Sequence, residues 1–365
     1  MKGIGPTIAL AALIACVGLA ACGDDDDDGG GNSEGGGKKI ALLLPETKTT
    51  RYEQHDRPGF TNKVEELCPD CEVIYANAAQ DANKQQAQAE AAITKGASVL
   101  VLDAVDADAA ATMVERAKQS DVPVIAYDRL ISDADIDYYV SFDNVRQGRI
   151  EAHTLLDKLG NDGNGKSIVM INGSPTDPSA GDYKKGAHQV LDASGVEIAK
   201  EYDTPDWSPD KAQLEMEQAT TALGKDNIDA VYSANDGMAG GAIAAMKSAG
   251  LDPQQIPVTG GDAEVAAIQR ILAGEQYMTI YLTIKKQAEV SAQLAVAAAN
   301  GDKPPANLVN AKVDNGQKQV PSVLLTPVAV TKDNINDTII ADGFLDPSEI
   351  CTGKYADMCK EAGIG

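Results

Sequence analysis

Several residues able to recognise hydroxyl groups stand just beyond short apolar runs. Asp128-Arg129 follow the run ending at Tyr127, and Asn172-Gly173-Ser174 and then Asp177 follow the run ending at Ile171. Asn235-Asp236 come after Ser233, and Gly261-Asp262 after Gly260. Arg51-Tyr52 lie beyond the first run, and Trp207, the only tryptophan, beyond the segment 197–203. Carboxylates, carboxamides and guanidinium groups offer forked donors and acceptors at fixed angles, while Trp and Tyr offer flat apolar faces. Together they suit a ring that carries hydroxyls around its edge and C–H bonds on its faces. The competing role for an Asp or Asn at a strand–helix junction is to cap the helix. Five such positions, joined by arginines and the sole tryptophan, exceed what capping requires. The candidate ligand-binding set is Arg51, Tyr52, Asp128, Arg129, Asp177, Trp207, Asn235 and Asp262.

Other patterns suggest chemistry and do not support it. Gly160 to Ser167, GNDGNGKS, fits the P-loop pattern. A P-loop requires a strand before it and a helix after it, so that a helix N-terminus faces the phosphates. Here the expected order is reversed, and the segment reads as a turn. Gly31-Asn32-Ser33-Glu34-Gly35 fits a nucleophile elbow but lies in a stretch with no strand or helix to strain it. His55, His153 and His188 show no metal spacing and read as solvated helix residues. Carboxylates are too abundant for any pair to argue for a glycosidase dyad. No catalytic residue, metal site or cofactor is assigned.

The elements that position the set come from the alternation of apolar runs with helical patterns. Strands are expected at 39–44, 72–77, 98–103, 122–127, 138–142, 167–171, 197–203, 228–233, 256–260 and 277–281. Most are continuous apolar runs, as in parallel strands covered on both faces. Helices are expected between them, among them 107–119 and 145–159, with 284–299 near the end. The alternation predicts an α/β fold of doubly wound parallel sheets. Ten strands exceed one comfortable open sheet, so two lobes are expected, with a break near 143–146.

The ends carry their own signals. Residues 1–21 read as an export signal, with Lys2 before a short apolar run that closes Leu19-Ala20-Ala21-Cys22. That ending resembles a lipobox, which makes Cys22 the expected lipidation site and the attachment point on the outer face of the cytoplasmic membrane. Residues 22–37, rich in Asp and Gly, read as a flexible tether. The formal charge of −24 disfavours nucleic acid as a partner. After Cys16 and Cys22 are set aside, Cys68, Cys71, Cys351 and Cys359 remain, an even number that favours disulfides in an exported chain. Three connectivities are open; the local pairs Cys68–Cys71 and Cys351–Cys359 are the expected ones.

Longer stretches carry a resemblance: Ala126-Tyr127-Asp128-Arg129-Leu130-Ile131, Ser141-Phe142-Asp143-Asn144, Gly173-Ser174-Pro175, Asn235-Asp236 with Ala239-Gly240-Gly241, and Leu324-Leu325-Thr326-Pro327. Over roughly residues 39–346 the chain resembles the D-xylose-binding proteins of bacterial ABC importers, within the ribose-type periplasmic binding proteins. The resemblance implies two hinged lobes that close on one monosaccharide, xylose or a related aldose, and a membrane permease as partner. It implies hydroxyl contacts from Arg51, Asp128, Arg129, Asp177, Asn235 and Asp262, with Trp207 and Tyr52 flanking the ring. Two positions depart from the pattern: Pro178-Ser179 stand where relatives often have Asn, and Leu282 where they commonly have Lys. The expected division is 38–144 plus about 283–324 for the first lobe, 145–282 plus about 325–347 for the second, and 348–365 as a C-terminal tail. A monomer is expected. The alternative is a sugar-sensing surface receptor that feeds a signalling partner instead of a permease.

Overall fold

Strands whose two faces are both apolar must be covered on both sides, and the larger sheet here is, by a separate apolar cluster on each face. The computed structural model describes residues 37–365; the export signal, Cys22 and all of the tether but Gly37 lie outside the described residues. The first half of the fold runs β1 (Lys39–Leu44), α1 (Arg57–Leu67), β2 (Glu72–Asn77), α2 (Ala82–Thr94), β3 (Val99–Leu102), α3 (Ala110–Lys118), β4 (Val124–Tyr127) and β5 (Tyr138–Phe142). The second continues with α4 (Asn144–Leu159), β6 (Ser167–Asn172), α5 (Pro178–Leu191), β7 (Glu197–Asp203), α6 (Pro209–Leu223), β8 (Ala230–Ser233), α7 (Asp236–Ala249), α8 (Val265–Leu272) and β9 (Met278–Tyr281). The chain ends with α9 (Ile284–Asn300), β10 (Ala311–Asp314), β11 (Gln319–Leu325), β12 (Val328–Thr331), α10 (Pro347–Ile350) and α11 (Tyr355–Glu361).

The first sheet has the order β10-β11-β5-β4-β3-β1-β2, parallel except for the β10–β11 pair. Along β1 the two-residue side-chain period sends Ile40, Leu42 and Leu44 toward α1 and α9, and Ala41 and Leu43 toward α2 and α3. The second sheet has the order β7-β6-β8. Beyond β8 the segment 256–260, expected as a full strand, forms a single bridge, Val231 to Val258. Pro257 has no N–H to give, yet the segment bonds on both sides, to Val231 of β8 and to Tyr277 and Ile280 at β9. The antiparallel pair β9–β12 completes that lobe.

The chain leaves the first sheet after β5, returns after β9 for α9, β10 and β11, and crosses again to β12. β10 and β11 were not among the expected strands; they lie in the segment 304–327, which holds Pro304, Pro305, Pro321 and Pro327. Pro321 is tolerated within β11 because its parallel pairing with β5 begins only at Ser322. The last residues are not a loose tail: Ile350, Cys359 and Ile364 are buried in one cluster with Ile268, Ile280 and Ile339. Cys68 is paired with Cys71 between α1 and β2, and Cys351 with Cys359 between α10 and α11.

Candidate functional site

In open parallel sheets the loops at the carboxyl ends of the strands form the ligand crevice, and the two lobes turn those ends toward each other. Arg51, Tyr52, Asp128, Arg129, Asp177, Trp207, Asn235 and Asp262 all line one cavity with about 360 Å³ of empty space. The lobes meet over it: the backbone N–H and the hydroxyl of Thr50 both donate to Glu264 Oε1 at 3.1 Å. On the other side Thr176 bonds the backbone of Val105 and Ala107.

Two buried arginines organise the wall. Arg51 holds Asp56 by two parallel bonds, Nε to Oδ2 at 3.0 Å and Nη2 to Oδ1 at 2.8 Å. It also reaches Gln287 Oε1 at 2.6 Å and Asp128 Oδ1 at 3.3 Å. Four of its five N–H donors are thereby used among the described residues, and the fifth has no partner there. Arg129 Nε lies 2.9 Å from Asp177 Oδ2 and 3.4 Å from Asp103 Oδ1, although its N–H is aimed well at neither. Its Nη1 donates to the Ala104 carbonyl and its Nη2 to the Tyr52 hydroxyl. Tyr52 in turn donates to Asp128 Oδ2.

Capping turns out to be compatible with lining the cavity. Asp177 Oδ1 caps α5 through the Ser179 N–H, while Oδ2 accepts the Trp207 indole N–H at 3.0 Å. Asn235 caps α7 through the Met238 N–H and also lines the cavity. Three of the set hold the left-handed backbone that side chains avoid: Asp128 (φ 62°), Trp207 (φ 51°) and Asp262 (φ 93°). Such strain persists only where neighbours enforce it and clusters at binding sites. At Asp128 the enforcement is visible, since the Tyr139 and Ser141 hydroxyls both donate to its carbonyl.

Thr49, Ser179, Tyr183 and Ala234 also line the cavity and were not singled out from the sequence. Ser179 and Tyr183 are four residues apart on α5, so one helix face presents both; that spacing, beginning just after Asp177, was the available signal. Ser179 belongs to the departure Pro178-Ser179 and does reach the cavity. Leu282 does not, being buried among the apolar residues around β9. Two histidines differ from the solvated residues expected. His55 is half-buried and stacks on Phe344 with ring centroids 4.2 Å apart, and burial lowers its pKa. His188 sits 3.0 Å from both Asp192 and Glu201. Among the described residues, no cluster of His, Cys, Asp or Glu is placed to hold a metal ion.

Burial dominates the electrostatics. It pushes the carboxyls of Asp103, Glu151, Asp177 and Asp262 upward, opposed by Arg129 at Asp103 and Asp177 and by Arg51 at Asp262. The Asp236 carboxyl is pushed up to about 7, by burial first and then by Glu264. A carboxyl raised in the folded state binds protons that the unfolded chain has released, so folding weakens as pH rises through the raised value. The thermal midpoint is therefore expected to climb as pH falls from 8 to 6. His188, raised by its carboxylate neighbours although burial lowers it, acts in the same direction, and His55 acts against it. A midpoint that is flat or falls over that window would contradict the burial of these groups as described.

A cleft that two lobes close over, with its polar groups already held in place, is the mark of a solute-binding protein. The sequence profile of the periplasmic binding protein domain matches residues 40–303, and the chain belongs to that family, one of binding proteins and not of enzymes. It is 39% identical over 315 residues to the D-xylose-binding periplasmic protein of Escherichia coli (strain K12), covering 85% of this chain and 92% of that one. It is also 39% identical over 309 residues to the D-xylose-binding periplasmic protein of Haemophilus influenzae, covering 84% and 90%. A solved ABC transporter solute-binding protein from Clostridium phytofermentans with bound β-D-glucose superposes with a TM-score of 0.78 at 26% identity, covering 86% of this chain and all of that one.

Proposed function

We propose that this chain is the solute-binding component of an ABC importer and takes one monosaccharide, xylose or a related aldose, between its lobes. The observation that carries the reading is the single cavity in which Asp128, Asp177, Asn235 and Asp262 meet Arg51 and Arg129 beside Tyr52, Tyr183 and Trp207. Forked acceptors and donors match ring hydroxyls, and aromatic faces match the C–H surfaces. The names of the relatives and of the glucose-bound neighbour support the same ligand class. The roles assigned to the eight residues belong to this proposal, as do the division into lobes near 143–146, 283 and 325 and the monomeric state. So does the N-terminus: the run Leu19-Ala20-Ala21-Cys22 supports an exported lipoprotein whose mature chain begins at an acylated Cys22.

Calorimetric titration of the membrane-extracted protein with a panel of pentoses and hexoses tests the reading. One sugar per chain should bind, and scattering at saturation should show a smaller radius of gyration, because a ligand touching both lobes favours the closed form. The intact mass should carry the lipid at Cys22. Failure to bind any sugar of the panel would overturn the function, and an unmodified mass would overturn the anchor.

A further inference from the structure

The loop that presents Asp262 is held in a conformation its own residues disfavour. Asp262 has φ 93° and Ala263 φ 53°, each a cost for a residue with a Cβ. The group that opposes this strain is Asp236, fully buried in the first turn of α7 and absent from the cavity wall. Its Oδ2 accepts the Glu264 N–H at 3.0 Å and the Thr279 hydroxyl at 2.8 Å. Its Oδ1 accepts the Gln276 amide at 2.7 Å. The Asp236 N–H donates to the Gly261 carbonyl at 2.9 Å, and the Thr279 hydroxyl oxygen accepts the Ala263 N–H at 3.2 Å. The loop is thus tied down on both sides of Asp262. A Cβ on Gly260 would come within 2.2 Å of Asp236 Oδ1, so the carboxylate is packed against the backbone that leads into the loop.

We propose that Asp236 is the positioning residue of the sugar cleft: it never touches the ligand, and its carboxylate holds residues 261–264 so that Asp262 faces it. The inference rests on the sugar-binding reading and assigns work to a residue outside that site. A buried aspartate with only a packing role would affect the melting temperature alone. A positioning residue acts through Asp262, so its effect on affinity should vanish once Asp262 is gone.

Titration with D-xylose and with D-glucose separates these cases. Asp236→Asn keeps the shape and turns one acceptor into a donor facing other donors; it should raise Kd about tenfold, the scale of one hydrogen bond to a charged group. In an Asp262→Ala background the same change should alter Kd by less than about twofold, because the two residues act as one unit and their effects do not add. A second pair reads the same contact independently of how the asparagine variant folds: Thr279→Val should weaken binding, and Thr279→Ser should bind as the parent does. An Asp236→Asn protein with the parent's Kd, or a penalty undiminished in the Asp262→Ala background, overturns the proposal. A parent that binds neither of these nor any other sugar of the pentose and hexose panel overturns the reading on which it rests.

Discussion

Replacing Arg129 with methionine is expected to lower the stability of the folded chain by about 3–5 kcal/mol, the range for removing one partner of a buried ion pair. Arg129 is 2% exposed and stands between Asp103, fully buried, and Asp177, 4% exposed. Neither oxygen of Asp103 has a hydrogen-bond partner among the described residues, so the guanidinium is what makes its burial tolerable. Burial already pushes the Asp103 carboxyl upward, and Arg129 is the strongest influence opposing that. Without the cation, Asp103 and Asp177 must stay charged in a poor solvent or take up protons, and the loss should deepen as pH rises. Denaturant unfolding of Arg129→Met, with Asp103→Asn as a second change, measures this. The double variant should recover part of the loss, since an amide has no charge to compensate. A loss below about 1 kcal/mol in the single variant would mean that Arg129 does not hold its neighbours in the way described.

Trp207→Ala is expected to weaken sugar binding by roughly 1–3 kcal/mol, the scale of a buried aromatic contact, which is about five- to 150-fold in Kd. The ring is fixed at several points. Its N–H is bonded to Asp177, its edge meets Tyr183 at 6.2 Å between centroids, and its backbone is left-handed. Beneath it lies Gly173, where an added Cβ would come within 2.1 Å of the ring. Gly173→Ala should therefore displace the indole and reproduce much of the loss while every ligand-facing side chain remains. Because Trp207 is the only tryptophan, its emission follows both events without ambiguity, shifting on sugar binding in the parent and before it in Gly173→Ala. If both variants bound sugar as the parent does and differed only in melting temperature, Trp207 would be a packing residue and the cleft would need another aromatic face.

The site was more legible than its supports, for a physical reason. Residues at strand ends are exposed to a simple topological rule, and all eight read from the sequence line one cavity. Asp56, Asp103, Gln287 and Asp236 act one layer behind them. Nothing in a linear pattern distinguishes a buried aspartate that receives an arginine from a solvated one in so acidic a chain. The fold divides in the same way. β1 to β5 are continuous apolar runs and were legible. β10 and β11 lie in a proline-rich stretch where the β10–β11 and β11–β5 pairings, not local preference, fix the strand. The segment 256–260 was overread for the converse reason: its composition suits a strand, but it pairs with β8 through one bridge.

The strand order has a consequence for synthesis. β5 finds its outer neighbour only in β11, and residues 143–318 separate them. At about 5–20 residues per second, a ribosome needs on the order of 10–35 s to make that interval. Through it the growing chain carries a sheet with one flank unpaired, a template that other strands can join. The portion made first is therefore finished late, and a truncation anywhere between β5 and β11 should yield an aggregating fragment in place of a smaller stable protein.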